Sequence, residues 1–281
     1  IDNEYAYIFR DISWDGSDLK GEVLHVHSEQ GLGDTLQFCR FLPLLKNKNG
    51  HISFKCHPQL ADLMKSCEGY DSISVDETFL VEEGTLNVLL LSLPKIFKIA
   101  LNTLPNKVPY LKADINLVNK WKEKLSNIDG FKIGFAYEPK IDSTTHKTRS
   151  CPVKNFYELL KNENITLFSL QKGTPIEKVS DFAKNSRFID LYDEINDFSD
   201  TAAIMENMDL IISIDTSVVH LAGALGRPTW NLLHSKPDWR WLLDRIDSPW
   251  YPTMRLFRQK TKGDWNSVFE EINKELKNSF L

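Results

Sequence analysis

Asp215, Thr216 and Ser217 occupy a position at which a chain can bind an anion. They follow an apolar run from Leu210 to Ile214 and precede a helical pattern that ends at Gly226. This order predicts a buried parallel strand, a polar turn and a glycine-capped helix. The first N–H groups of a helix lack intrahelical partners and carry the positive end of the helix dipole, so the turn predicts a diphosphate site. The alternative is that Asp215 or Thr216 only caps the helix.

A glycine-bearing turn follows the first predicted strand. Besides Leu32, it contains Glu29, Gln30, Gly31 and Gly33. Two glycines let a ligand approach the backbone closely, so we expect those four residues to line a cleft. Asp34 opens the predicted helix that continues to residue 46, and its carboxylate can accept a proton from an attacking hydroxyl group. The alternative is a helix cap. The motif lacks the third glycine of a dinucleotide fingerprint, which argues against a nicotinamide-dependent dehydrogenase.

Two basic residues, Lys147 and Arg149, follow the strand that is predicted to end at Tyr137. Cations at the carboxyl edge of a sheet can neutralise a leaving diphosphate, and a solvated loop is the alternative. His220 lies five residues after Asp215 on the predicted helix. It can orient a ligand there, or it can be a core histidine with one satisfied ring nitrogen.

A third polar turn follows the strand predicted from Thr166 to Leu170. It contains Gln171, Lys172, Gly173 and Thr174. The glycine frees the backbone, and the other side chains can hydrogen-bond to a nucleotide. We expect Gln171 and Thr174 to bind a base or ribose and Lys172 to bind a phosphate. Ordinary turn chemistry explains the same residues equally well.

The composition excludes several classes of function. The 281-residue chain is 42% hydrophobic with a net charge of -5, which argues against a nucleic-acid partner. No apolar run approaches the roughly 20 residues of a membrane span. The four cysteines lack zinc-site or redox spacing, which favours a cytoplasmic protein with reduced thiols. No acidic Asp-x-Asp pair is present, so we expect no essential metal.

Alternating strand and helix patterns flank a polar stretch rich in lysine and asparagine. They predict an α/β protein made of two parallel units. The polar stretch, residues 114–130, is the expected linker helix, with Trp121 and Leu125 as its apolar anchors. Two such units bind ligands at the carboxyl ends of their strands, so we expect the site in a cleft between them.

Together these segments resemble the heptosyltransferase-like glycosyltransferases of family 9, of the type found attached to tetratricopeptide repeats. The resemblance runs in order from about Trp14 to the end of the chain. The matching segments are Trp14-Asp-Gly, Glu29–Thr35, Arg149-Ser150, Ser169–Gly173, Asp209–Gly226, Pro237–Trp241 and Ser248–Gln259.

The resemblance implies a GT-B fold, in which two Rossmann-like domains face each other across a cleft. It implies an acceptor-side domain at 1–113, a linker at 114–130 and a nucleotide-sugar-binding domain at 131–262. The helix at 263–281 is expected to pack back on the N-terminal domain. Because the chain begins without an initiator methionine, we also expect more protein upstream, with tetratricopeptide repeats as the expected partner domain.

The resemblance further implies a metal-independent, inverting hexosyl- or heptosyltransferase without a cofactor. Its donor would be an ADP-, UDP- or GDP-linked sugar, and its acceptor a hydroxyl of a glycan, a lipid-linked glycan or a protein. Asp34 would be the base, while Arg149, Lys147 and the turn at 215–217 with His220 would bind the diphosphate. We expect it in the cytoplasm, with the inner face of the membrane as a peripheral location.

The loop from Glu138 to Thr148 departs from the family pattern, since it lacks the usual Trp-x-Gly. A non-catalytic nucleotide-sugar or glycan-binding module of the same fold is therefore the alternative function.

Overall fold

The computed structural model describes residues 14–75, 85–139, 146–172 and 184–280, leaving aside the side chains of residues 146 and 147. Gly173 and Thr174, two of the predicted site residues, lie outside these ranges. The strands are β1 Val23–His27, β2 His51–Cys56, β3 Ser72–Val75, β4 Leu86–Leu89, β5 Phe131–Ala136, β6 Ile165–Ser169, β7 Phe188–Asp190, β8 Leu210–Ile214, β9 Thr229–Leu233 and β10 Met254–Arg258.

Short and long helices cover the strands. The α-helices are α1 Leu32–Phe38, α2 Ala61–Met64, α3 Leu93–Ile96, α4 Ile115–Lys124, α5 His146–Arg149, α6 Val153–Tyr157, α7 Phe198–Glu206, α8 Ser217–Ala224 and α9 Trp265–Ser279. The 3-10 segments are Cys39–Lys48, Pro58–Leu60, Leu90–Ser92, Glu158–Lys161 and Trp239–Trp241. None of the helices in the described ranges is long and apolar enough to cross a membrane.

The strands form two parallel sheets, with the orders β3-β2-β1-β4 and β10-β9-β8-β5-β6-β7. In the smaller sheet, Val26 of β1 lies opposite Phe54 and Val88. In the larger sheet, β8 pairs with β5 on one side and β9 on the other. The strand order reverses between β1 and β4 and between β5 and β8. Ligands bind at such switch points, outside the carboxyl ends of the strands.

The first helix is shorter than the expected one. The α-helix ends at Phe38, and the chain continues as a 3-10 segment from Cys39 to Lys48 that contains Pro43. Proline has no N–H to donate to the carbonyl four residues earlier, which here belongs to Cys39. The carbonyl of Cys39 therefore lacks its α-helical donor, and the chain changes from α-helix to the tighter 3-10 helix at this residue.

The linker contains the expected helix. Asp114 caps α4 by accepting hydrogen bonds from the N–H groups of Asn116 and Leu117. The two expected apolar anchors are buried, since Trp121 is 3% and Leu125 is 4% exposed. The Trp121 indole lies 3.4 Å from the carboxylate of Asp200 on α7. The linker helix thus rests on the domain of the larger sheet.

Among the described residues, the last helix packs on the larger sheet and not on the N-terminal domain, which corrects the expectation for residues 263–281. Its apolar stripe lies in a core cluster whose members all belong to residues 131 onward. Within that cluster Phe269 contacts Phe156 edge-to-face, and the Trp265 indole donates to the carbonyl of Ser150. The helix follows β10, the edge strand of the larger sheet, so an apolar face of that sheet lies next to it. The apolar stripe of the amphipathic helix covers this face.

The two sheets are instead joined through the segment before β10 and through α1. Arg40, which is 5% exposed, donates to the carbonyl oxygens of Trp250 (2.7 Å) and Pro105 (3.3 Å) and to the hydroxyl of Tyr110 (2.8 Å). Phe38 packs on the Trp250 ring. One core cluster consequently runs from the smaller sheet through α1 and α8 to the inner face of the larger sheet.

Candidate active site

A cleft of about 530 Å³ lies where the turns after β1, β5 and β8 meet. Most of the residues expected at a site are among those that line it. The lining residues are Gln30, Gly31, Leu32, Gly33, Asp34, His57, Gln59, Pro139, Arg149, Asp215, Thr216, Ser217, His220 and Arg240. Residues from both sheets therefore contribute to one cavity.

The cleft depends on a close approach between α1 and α8. A Cβ atom at Gly33 would lie 2.9 Å from Cδ2 of His220 and 3.4 Å from Cα of Ser217. Because any larger residue would push the two helices apart, glycine is required here for packing. The starts of α1 and α8 are held side by side as a result.

The turn before α8 has the expected geometry. Thr216 is the N-cap, and its hydroxyl accepts a hydrogen bond of 3.3 Å from the N–H of Val218. Its carbonyl accepts the N–H of Val219. The N–H of Ser217 has no backbone or side-chain partner among the described residues. Thr216 therefore caps the helix and leaves an N–H group at the cleft, so the capping role and an anion site are compatible.

Asp215 lies under this turn. It is 3% exposed, and its Oδ2 atom has no partner among the described residues. Burial raises the pKa of its carboxyl group, while the guanidinium groups of Arg149 and Arg240 act in the opposite direction. Arg149 also reaches the carbonyl of Asp215 at 3.4 Å. Arg149 thereby stands beside the N-terminal end of α8, as expected for a phosphate ligand.

His220 is buried beneath the same turn. Its Nδ1 atom lies 2.9 Å from the hydroxyl of Tyr251, and its ring stacks on Trp241 with the centroids 5.4 Å apart. Burial, together with Arg240, Arg40 and Arg149, lowers the pKa of His220 well below its usual value. The imidazole is therefore neutral at neutral pH, and it offers a hydrogen bond to a ligand without a positive charge.

Asp34 faces the turn from the other sheet. Its Oδ2 atom accepts the N–H of Gly31 at 3.0 Å, so it does cap α1. Its Oδ1 atom accepts a hydrogen bond of 2.8 Å from Nη2 of Arg240. The side chain of Asp34 is 16% exposed, and that of Arg240 is 13% exposed. A carboxylate and a guanidinium from opposite sheets are thus paired at the cleft.

Glu29 does not line the cleft, which corrects the expectation from the sequence. The residue is 7% exposed, and its Oε1 atom accepts the N–H of Leu91 at 3.0 Å. The Oε2 atom has no partner among the described residues. Burial, with a smaller contribution from the charge of Asp34, raises the pKa of Glu29 to about 7. Its bond to Leu91 shows that the side chain supports the end of β4.

Gln171 and Lys172 line a second cavity of about 370 Å³ that adjoins the cleft. The Gln171 carbonyl oxygen accepts the N–H groups of Tyr137 and Glu138, at 3.1 and 3.0 Å. The Lys172 ammonium donates to the carbonyls of Tyr192 and Ile195. Both side chains therefore hold backbone at the cavity wall. The remaining wall is largely apolar and includes Leu170, Ile195, Phe198 and Val218.

Lys147 lies on α5, and its side chain is outside the described part of the chain. Sequence reasoning did not select three other polar residues of the cleft, His57, Gln59 and Arg240. His57 directly follows β2, and the strand-end rule that selected the other turns could have found it. Burial lowers its pKa, and its Nε2 atom has no partner among the described residues.

Arg240 belongs to the run of tryptophan and arginine residues between 237 and 258, and this composition was the signal for it. Within this run, Trp241 is fully buried, whereas Trp239 is 64% exposed. Along the 3-10 turn at 239–241, burial increases from the exposed Trp239 through the half-buried Arg240 to the buried Trp241.

Residues 130–252 match the family model of glycosyltransferase family 9 (heptosyltransferase). The match covers less than half of the chain. The matched range contains Arg149, the turn at 215–217 and Arg240, whereas Asp34 lies before it. The position of Asp34 opposite the matched residues is therefore known from the fold.

The chain is similar to Protein FlbA of Caulobacter vibrioides, with 24% identity over 285 residues. The alignment covers 93% of this chain and 47% of the relative, so the chain spans about half the length of the curated relative it matches.

Two solved structures share the fold. The glycosyl transferase family 9 protein from Veillonella parvula has a TM-score of 0.68 at 12% identity and covers 94% of this chain and 99% of its own. The ADP-heptose LPS heptosyltransferase II of E. coli has a TM-score of 0.65 at 13% identity and covers 92% and 99%. The expected GT-B fold of two parallel α/β units is thereby confirmed.

Proposed function

We propose that this chain is a glycosyltransferase that moves a sugar from a nucleoside-diphosphate sugar to a hydroxyl group by direct displacement. The observation that carries the proposal is the cleft itself. Across it, the carboxylate of Asp34 stands opposite the N-terminal end of α8, where Arg149 and an N–H without a partner in the described part of the chain are available for an anion. A base and a diphosphate site on opposite walls are the two groups that this reaction needs.

In the proposed reaction, the diphosphate of the donor binds the N–H of Ser217 and the guanidinium of Arg149. The adjoining apolar cavity next to Gln171 receives the nucleoside. The acceptor hydroxyl enters from the side of Asp34 and His57. The oxygen of the acceptor forms a bond to the anomeric carbon while the bond to the diphosphate oxygen breaks.

The proton of the acceptor hydroxyl passes to Asp34, and the negative charge passes to the leaving diphosphate. Because attack and departure occur on opposite faces of the carbon, the product is inverted. The guanidinium of Arg149 and a helix N-terminus stabilise the leaving group, so the proposed reaction uses neither a metal ion nor a cofactor. The donor is an ADP-, UDP- or GDP-linked sugar, and the likeness to an ADP-heptose enzyme favours ADP.

The proposed acceptor is a glycan, a lipid-linked glycan or a protein. The proposed location is the cytoplasm or the inner face of the membrane. The domain limits 1–113, 114–130 and 131–262 remain predictions, and limited proteolysis can check them. A tetratricopeptide-repeat domain upstream of this chain also remains a prediction.

One observation favours the alternative function, a non-catalytic binding module. Both carboxylate oxygens of Asp34 accept hydrogen bonds within the protein, from Gly31 and Arg240. A base that is held in this way must release a partner before it takes a proton. A binding module would need the pair only to hold the two domains together.

The experiment that separates the two functions begins with thermal-shift screening against ADP, UDP and GDP. A true ligand raises the melting temperature by linkage. Sugar derivatives of the nucleotide that binds are then tested for diphosphate release, with and without candidate acceptors. A transferase releases the diphosphate, and its Asp34→Asn variant does not. Binding without any release would support the binding module.

A further inference from the structure

Arg240 is fixed at the centre of the cleft by its own backbone. Asp238 caps the 3-10 turn by accepting the N–H of Arg240 at 3.1 Å. The carbonyl of Arg240 accepts the indole N–H of Trp250 at 2.9 Å, and the next residue, Trp241, is fully buried. The guanidinium is therefore presented from a rigid turn, although the neighbouring Trp239 is exposed.

Within the described ranges, the hydrogen bonds of this guanidinium leave some of its N–H donors without a partner. Nη2 binds Asp34, and Nε lies 3.4 Å from the carboxylate of Asp238 without a hydrogen bond. Arginine has five N–H donors in a planar fork that matches phosphate oxygens. The fork of Arg240 can thus keep one carboxylate and still bind a second anion.

Arg240 also lies close to the proposed phosphate turn. Burial lowers the pKa of His220, and the charges of Arg240 and Arg149 lower it further. Burial raises the pKa of Asp215, and the same two charges oppose that rise. Both residues line the same cleft. Two guanidinium groups therefore act on the N-terminal end of α8, one of them already bound to the proposed base.

The proposed reaction moves negative charge from one wall of the cleft to the other. Asp34 loses its charge when it takes the acceptor proton, and the diphosphate gains charge when its bond to the sugar breaks. We propose that Arg240 is a ligand of the leaving diphosphate that shifts from Asp34 to the phosphate oxygens as this charge moves. This inference rests on the proposed function and adds to it a residue that couples the base to the leaving group.

A structural role for Arg240 has different consequences. If the ion pair only holds the two domains together, then loss of Arg240 lowers stability and affects all ligands alike. If Arg240 is shared between Asp34 and the diphosphate, then Asp34 competes with the diphosphate for it. Removing the charge of Asp34 must then strengthen diphosphate binding, and only when Arg240 is present.

The test is a double-mutant cycle on diphosphate affinity. Isothermal calorimetry with ADP and with inorganic pyrophosphate is carried out on the unaltered chain, Arg240→Gln, Asp34→Asn and the double variant. Arg245→Gln is the matched control, since Arg245 lies in the same segment and pairs with Asp247 at the surface. Thermal unfolding of each variant checks the fold.

We expect Arg240→Gln to weaken the binding of ADP and pyrophosphate by roughly 10- to 100-fold, as for the loss of a charge-assisted hydrogen bond. Arg245→Gln should leave both affinities unchanged. Asp34→Asn should strengthen binding several-fold, and this gain should vanish in the double variant. Should Arg240→Gln fail to fold, Arg240→Lys retains the charge without the fork and should bind with intermediate affinity.

Two results would overturn the inference while the proposed function stands. One is an unchanged affinity in Arg240→Gln. The other is an equal gain from Asp34→Asn with and without Arg240, which would indicate simple repulsion between Asp34 and the ligand. If the unaltered chain binds none of ADP, UDP, GDP and pyrophosphate, the proposed function itself fails, and the inference fails with it.

Discussion

Gly33 on α1 lies so close to His220 on α8 that a single added methyl group would lie 2.9 Å from the imidazole. The helix α1 follows a strand of the smaller sheet, and α8 follows a strand of the larger sheet. The contact between the two residues therefore sets the distance between the two walls of the cleft. The relationship leads directly to a first prediction.

Gly33→Ala should lower the free energy of unfolding by about 1–3 kcal/mol, because the added Cβ overpacks the contact. It should also weaken ADP binding, since the cleft must widen. Urea unfolding and calorimetry measure the two effects. In the double variant Gly33→Ala with His220→Ala, the cost of the methyl group should shrink, since its neighbour is smaller. Strictly additive effects of the two substitutions would contradict the contact.

Glu29→Gln should change the pH dependence of stability. The folded-state pKa of Glu29 is raised to about 7 from an ordinary value of 4.5, so the folded chain binds more protons than the unfolded chain between these values. The contribution of Glu29 to the free energy of unfolding is therefore fully present below pH 4.5, and it is lost as the pH rises through 7.

Glutamine stays neutral and keeps the acceptor for the N–H of Leu91. We expect Glu29→Gln to stabilise the chain at pH 8 by roughly 3 kcal/mol relative to its effect at pH 4.5. Urea unfolding at the two pH values measures the difference. The exposed Glu22→Gln is the matched control. An effect of Glu29→Gln on stability that is equal at both pH values would contradict the raised pKa of Glu29.

Arg40→Met should destabilise the chain by roughly 3 to 5 kcal/mol, because buried carbonyl oxygens and the Tyr110 hydroxyl lose a charged donor. Arg40→Lys should cost about 2 kcal/mol, since an ammonium cannot reach all three partners. Denaturant unfolding measures both variants, with Arg245→Lys as the control, since Arg245 pairs with the exposed Asp247. A change below 1 kcal/mol in Arg40→Met would show that Arg40 does not join the sheets.

Arg149→Ala should weaken the binding of ADP by about tenfold or more, because a guanidinium at the start of α8 is removed. Binding of the corresponding nucleoside, adenosine, should be little changed, since it carries no phosphate. Calorimetry with the two ligands measures the contrast. Lys154→Ala, an exposed basic residue on the neighbouring helix α6, is the control. Equal losses for ADP and adenosine would place Arg149 away from the phosphates.

The sequence alone predicted the strand 210–214, the polar turn after it and the resemblance to family 9 glycosyltransferases. The strand 210–214, the cap at Thr216 and the end of α8 before Gly226 depend on residues only a few positions apart. Apolar periodicity and capping hydrogen bonds act over that range, so they can be identified without the fold. The same strand-end logic placed Asp34, Arg149 and the turn at 215–217 at one cleft.

Only the tertiary structure decided which groups meet. The Asp34–Arg240 pair joins residues 206 positions apart, and nothing local to either residue indicates the other. Glu29 is buried and the last helix covers the larger sheet because of how the assembled sheets and helices fit together. Long-range packing and desolvation depend on the shape of the whole chain, so these contacts follow from the three-dimensional structure and from no short segment of sequence.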